Sequence, residues 1–162
     1  MVHMIMIVLH ATAAVLCFIF GALTLLPYIS HHSRLTLSTF YAGTLIAMVV
    51  FLAGAILAHV GQLEALQRGI FSGLFVLSLY MLFRGTQART VLCVQHVDWW
   101  TIYIDHIGFT LISLFEGFII VSGIDLGAPG WLTAIVAVLG VVVGNRVLHG
   151  LQTPARQLHA KS

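Results

Sequence analysis

The sequence contains very few charged residues. Seven of its 162 residues are Lys or Arg and five are Asp or Glu, so 7% are charged. A soluble domain carries about 25%, and this chain could not cover a water-facing surface. The composition excludes a soluble globular enzyme, a disordered regulator and a nucleic-acid-binding protein with a basic face. Since 60% of the residues are hydrophobic, we predict an integral membrane protein.

The sequence also lacks the motifs of several activities. It contains no G-x-x-x-x-G-K-[ST], G-x-G-x-x-G, G-x-S-x-G, H-E-x-x-H or C-x-x-C-H. Nucleotide-driven transport, esterase chemistry, zincin proteolysis and covalent haem attachment therefore have no support. Its two cysteines, Cys17 and Cys93, provide no disulfide framework.

Long apolar segments predict five transmembrane helices. A helix needs about 20 apolar residues to cross about 30 Å of hydrocarbon, and five segments meet or approach that length. They span residues 5–26, 37–60, 66–83, 99–124 and 131–148. The predicted fold is an all-α integral membrane bundle in a single transmembrane domain, followed by a short basic cytoplasmic tail over residues 149–162.

Of the five segments, the third has the shortest run free of basic residues. Arg68 and Arg84 enclose only fifteen uncharged residues, which make about 22 Å of helix at 1.5 Å per residue. The helix crosses only if both arginines extend toward the interfaces. The alternative is a bundle of four spans with a re-entrant or interfacial third helix.

The basic residues predict an orientation by the positive-inside rule. With five spans, six of the seven lie on one side and Arg68 lies alone on the other. This puts the N-terminus outside and the C-terminus in the cytoplasm. Nothing resembles a mitochondrial transit peptide or a lipidation motif, so we predict a bacterial inner membrane. Without the third span the split is again six to one, with both termini inside.

Glycines four residues apart predict close helix packing, because small residues let helix backbones approach each other in lipid. Gly69 and Gly73 begin the third helix, and Gly140 and Gly144 lie inside the fifth. The second pair is either the seam of a homodimer or an ordinary contact within the chain. The expected partners are the lipid bilayer and a second copy or a larger membrane complex.

Four ionisable residues, His10, Asp105, His106 and Glu116, fall inside predicted spans. A charged side chain there costs about 2.5–3.5 kcal/mol on insertion scales and by default indicates a functional site. Asp105 and Glu116 are eleven residues apart, so they share a helix face about 16 Å apart. Together with His106 they predict a proton path or a cation site. The alternatives are protonated acids bonded to neighbouring groups, or a contact with a partner subunit.

His10 and His59 are predicted near the same membrane face, because the first helix begins and the second ends there. Two imidazoles on adjacent helices are what a b-type haem needs. With Glu116 they would also suit a transition metal. The alternative is that both histidines have only packing or interfacial roles.

A second cluster of potential ligands lies on the predicted cytoplasmic side. Cys93 and His96 are three residues apart and form half of a zinc-type pattern, which His31 and His32 could complete. The alternative is that all four are solvated loop residues.

Three features carry a resemblance to a known group of proteins. These are LYMLFRG over residues 79–85, FYAGT over residues 40–44, and His59. With them the chain resembles a family of bacterial polytopic predicted membrane proteins known only as domains of unknown function. The likeness covers residue 10 to the end of the fifth span, and it implies a polytopic fold with no established activity.

More weakly, the chain is similar to the ascorbate-reducible b-type cytochromes, which hold two haems in a helix bundle. Two haems would need four histidines, whereas only His10 and His106 lie within the predicted spans. The resemblance therefore implies at most one haem b, on His10 and His59.

The sequence thus predicts a small membrane module or accessory subunit, without catalytic chemistry of its own, that carries a buried histidine and carboxylate site. One alternative is a b-type electron-transfer protein that uses His10 and His59. The other is a proton or cation pathway along Asp105 and Glu116.

Overall fold

A computed structural model describes residues 2–59, 61, 65–95 and 97–159, with side chains for 4–58, 61, 68–95, 97–123 and 126–152. Within these residues the chain forms five α-helices and no strand. They are α1 (Val2–Thr24), α2 (His31–His59), α3 (Ala65–Val94), α4 (Trp99–Asp125) and α5 (Gly130–His159). All five are long and apolar enough to cross a membrane, which confirms the predicted all-α fold with five spans.

The end of the third helix was predicted too early. Instead of ending at Phe83, α3 continues to Val94 as one uninterrupted helix. Arg84 and Arg89 follow the apolar segment but do not end the helix, because arginine is a good helix former and no proline follows to stop it. Its apolar part, Arg68–Val94, has 27 residues and is about 40 Å long. Helix α3 is therefore long enough to cross the hydrocarbon core.

The chain divides into two compact units, Met1–Thr86 and Gln87–Ser162, with the boundary inside α3. In the first unit, α1 and α2 form an antiparallel hairpin. The Sδ atom of Met6 lies 3.4 Å from the position of a Cβ on Gly54, and the rings of Phe20 and Phe40 stack with centroids 5.5 Å apart. These contacts fix the register of the two helices.

The less exposed residues of both helices recur at alternating spacings of four and three, which is typical of helices that pack side by side at a small angle. In α1 they are Met6, His10, Ala13, Cys17, Phe20 and Thr24; in α2 they are Arg34, Ser38, Tyr41, Leu45, Met48, Leu52 and Ala55.

Helix α3 contacts α2 at Gly85. A Cβ at this position would lie 2.8 Å from Cδ2 of Leu45 and 3.4 Å from Cε1 of Tyr41, so a larger residue would require Leu45 to shift. By contrast, Gly69 and Gly73 are exposed, and a Cβ on either would meet no atom of the described residues within 4 Å. A packing role for that pair stays a prediction.

Arg34 closes the end of the α1–α2 hairpin. Its side chain is only 7% exposed; Nε donates to the carbonyl of Thr24 at 3.0 Å and Nη2 to that of Leu26 at 3.0 Å. The last carbonyls of a helix have no partner inside it, and a cation there also interacts favourably with the helix dipole. The buried guanidinium therefore finds its acceptors on the backbone.

We expect Arg34→Ala to lower the free energy of unfolding by about 2 kcal/mol, because hydrogen bonds from a charged donor are lost and buried carbonyls are left without it. Unfolding in mixed detergent micelles measures this. Arg89→Ala is the control, since Arg89 is exposed on α3 and its removal should change stability by less than about 0.5 kcal/mol. Equal losses for the two variants would contradict the assigned role of Arg34.

Candidate functional site

In the second unit, the ionisable residue Glu116 lies between α4 and α5. These helices form an antiparallel hairpin, joined by a short turn in which Gly127 has a φ of 64°. Helix α5 uses one stripe of half-buried residues for this contact, and most of its remaining surface is exposed. The stripe consists of Thr133, Ala137, Gly140, Gly144 and Leu148.

Glycines on both helices receive side chains from the other. A Cβ on Gly144 would lie 2.7 Å from Cγ1 of Ile112, and a Cβ on Gly123 would lie 2.5 Å from Oγ1 of Thr133. A Cβ on Gly108 would collide with the side chain of Leu148. In the absence of a hydrophobic driving force between helices, such close approach provides the van der Waals contact that holds them together.

These contacts bear on the two interpretations of the Gly140–Gly144 pair. The face of α5 that carries both glycines is covered by α4 of the same chain, as the intrachain interpretation expects. A homodimer would therefore have to use a different surface.

Glu116 lies in the packed contact between α4 and α5, the α4–α5 seam, opposite Gly140. Its Oε1 atom is buried and has no hydrogen-bond partner among the residues that the structure describes. The same atom is 2.5 Å from the position of a Cβ on Gly140, and Cε1 of Phe115 is 2.9 Å from that position. Glycine at position 140 thus makes the space that the carboxyl occupies.

The depth of Glu116 along α4 places it well inside the span. It is 17 residues after Trp99 and 9 before Asp125, about 25 Å and about 14 Å from the two helix ends. Since the hydrocarbon core is about 30 Å thick, the carboxyl is separated from both interfaces.

Asp105 and Glu116 share one side of α4 but not one environment. Asp105 is exposed, whereas Glu116 is half-buried in the seam. Between them on this side are Gly108 and Ile112, packed against apolar or glycine positions of α5. Gly108 and Ile112 provide no polar side chain on this side, whereas Thr110 and Ser113, in the same interval, are polar and buried. His106, next to Asp105, is buried, and its carbonyl accepts a hydrogen bond from Oγ1 of Thr110 at 3.1 Å.

His10 bonds to the neighbouring helix. Its Nδ1 lies 2.9 Å from the carbonyl of Met48, and because a carbonyl can only accept, Nδ1 is the donor in this bond. Fixing one ring nitrogen in this way is common for metal-binding histidines, but it serves equally well to hold two helices together.

The structure does not bring His10 and His59 to the same level. His59 is the last residue of α2, eleven residues beyond Met48 and therefore about 16 Å farther along the axis; its side chain lies outside the described residues. A haem site on His10 and His59 stays a prediction. Glu116 belongs to the other unit, so a site that joins it to His10 stays a prediction.

The proposed zinc ligands are likewise distributed over both units. His31 and His32 are exposed at the start of α2, and Cys93 is an exposed free thiol near the end of α3. His96 lies outside the described residues. In the described part of the chain, no group of three or more His, Cys, Asp or Glu side chains could hold a metal ion.

Two features of the α4–α5 contact were not predicted from the sequence. Gly108 has isoleucine at both positions four residues away, so the usual motif does not reveal it, and the contact made at Gly123 was not predicted either. The contact of Glu116 with Gly140 depends on helix rotation, which uniformly apolar spans do not indicate. The available signal was the combination of a carboxylate on one predicted span and a glycine pair on the next.

No protein-family model, curated protein or solved structure matches this chain. The resemblance to an uncharacterised polytopic family therefore stays a prediction. The function has to be argued from the residues themselves, above all from those of the α4–α5 seam.

We expect Gly140→Ala to lower the free energy of unfolding by about 1–3 kcal/mol, as overpacking commonly does, because the new methyl group displaces the carboxyl of Glu116 and the ring of Phe115. Gly117→Ala is the matched control: a Cβ on Gly117 would have nothing within 4 Å, so its effect should be neutral or slightly stabilising. Unfolding of both purified variants in mixed micelles measures the difference. Equal stability of the two variants would refute the proposed contact at Gly140.

Proposed function

We propose that the protein is a non-catalytic module of the membrane in which Glu116 is a proton-binding carboxyl. The observation that carries this proposal is the buried Oε1 atom, which has no hydrogen-bond partner in the described chain. An ionised carboxylate in an apolar seam is far more costly than the neutral acid. Ionisable groups that a membrane protein retains inside its spans are by default functional.

The surroundings of Glu116 favour a proton over a metal cation. Calcium takes 6–8 oxygen ligands and magnesium six, usually including several waters. By contrast, one carboxyl oxygen is enough for a proton. The sequence of α5 from Trp131 to Asn145 contains no charged residue that could supply a second ligand.

The apolar contacts of Gly108 and Ile112 with α5 favour a single proton-binding site over a pathway along this side of α4. We propose that Glu116 binds and releases its proton as a single site. Such a site suits a module or accessory subunit that responds to proton concentration, alone or within a homodimer or larger complex.

As part of the same proposal, the protein lies in a bacterial inner membrane with its N-terminus outside and its C-terminus in the cytoplasm. The positive-inside rule supports this orientation. Arg34 at the start of α2 and Arg84 and Arg89 in the last third of α3 belong to helix ends on the same side, because only residues 60–64 connect the two helices.

Infrared spectroscopy of the protein in liposomes tests the proposal. We expect the carbonyl band of a protonated carboxylic acid that disappears in Glu116→Gln and converts to a carboxylate band as the pH is raised. Asp105→Asn is the control, because Asp105 is exposed on the same helix and its removal should leave the Glu116 band in place. A protein whose acid band is absent, or is unchanged in Glu116→Gln, would overturn the assignment.

A further inference from the structure

We propose that loss of the proton from Glu116 separates α4 from α5 at the level of Gly140, so that the α4–α5 hairpin opens. This inference rests on the proposed function and adds the conformational consequence of the same site. It follows from three features of the seam: the lack of space at Gly140, the lack of groups that could stabilise a charge, and the weak attachment of α5.

There is no space for water where Oε1 lies. The atom is buried, and it occupies the space that a Cβ on Gly140 would need, next to the ring of Phe115. A water molecule is about 3 Å across, so Oε1 can be hydrated only if the helices move apart or the side chain leaves the seam.

No group of α5 that faces the carboxyl can stabilise its negative charge. The neighbours of Gly140 on the packed stripe are Ala137 and Gly144, which do not titrate and have no polar side chain. The nearest charged residue of α5, Arg146, is exposed and lies six positions beyond Gly140. On α4 the nearest preceding titratable residues are His106 and Asp105, about three turns away.

The attachment of α5 allows it to move. Within the second unit, α5 contacts α4 along one stripe, and none of its residues in the apolar window Gly130–Gln152 is fully buried. The described contacts at Gly140 and Gly144 are van der Waals contacts between a backbone and a side chain. The turn at Gly127 joins the two helices covalently, so separation at Gly140 means that the hairpin opens about this turn.

Distance measurement between two spin labels tests the inference on the full chain in liposomes. Phe118→Cys on α4 and Val138→Cys on α5 supply the labels, since these residues flank Glu116 and Gly140 and are 67% and 63% exposed. The two native cysteines are replaced by Cys17→Ala and Cys93→Ser. We expect a distance longer by about 3 Å or more at high pH, enough to admit a water molecule, and no change with pH in Glu116→Gln.

Two controls accompany the measurement. Labels at Val15→Cys and Ile46→Cys, both exposed on the α1–α2 hairpin, should report a constant distance. Gly140→Ala should lengthen the α4–α5 distance already at low pH, which shows that the labels detect separation of this seam.

The outcomes distinguish this inference from the function on which it rests. If the infrared band of Glu116 titrates while the label distance stays constant, the side chain leaves the seam without helix movement, and the inference is overturned although the proton site stands. If the wild-type protein has no titrating acid band, the proposed function itself fails. A pH-dependent distance that persists in Glu116→Gln would also overturn the inference, because another group would then cause it.

Discussion

Close approach of helix backbones is the constraint on which this structure depends. Lipid is as apolar as the side chains of the spans, so burying them against one another gains little, and the helices associate where small residues let them touch. Gly85 permits the contact of α3 with α2, and Gly108, Gly140 and Gly144 permit that of α4 with α5. Glycine in a helix interior costs about 1 kcal/mol relative to alanine, so each such position has to recover this cost through contact.

The same constraint determines where a polar group fits inside the protein. Gly140 leaves a space in the surface of α5, and the carboxyl of Glu116 occupies it instead of an apolar side chain. An apolar side chain at position 116 would have filled that space without a desolvation cost. The packing of the second unit therefore does not explain why an acid stands at this position, and this is the reason to ascribe a function to it.

The sequence was sufficient for the number of helices but not for their rotation. Apolar length alone predicted five spans, and the glycine pair at 140 and 144 indicated a packed face. Because the spans are apolar on nearly every side, their periodicity does not show which face meets which neighbour. Three-dimensional contacts determine the pairing of Glu116 with Gly140 and the register that separates His10 from His59. The continuation of α3 beyond Arg84 depends on helix propensity outside the apolar run.

Three polar side chains within the spans or at their ends differ in whether backbone groups can form the hydrogen bonds that they need. This difference distinguishes a structural role from a functional one. Arg34 lies where α1 ends and donates to the carbonyl of Thr24, which has no partner inside the helix, and to that of Leu26 just beyond it. His10 donates to the carbonyl of Met48, which can accept a second hydrogen bond through its other lone pair. Glu116 needs donors, and the amides of a helix interior are already bonded within the helix. A donor can therefore be accommodated in such a bundle by the backbone alone, whereas an acceptor in mid-span needs a side-chain donor or a proton of its own.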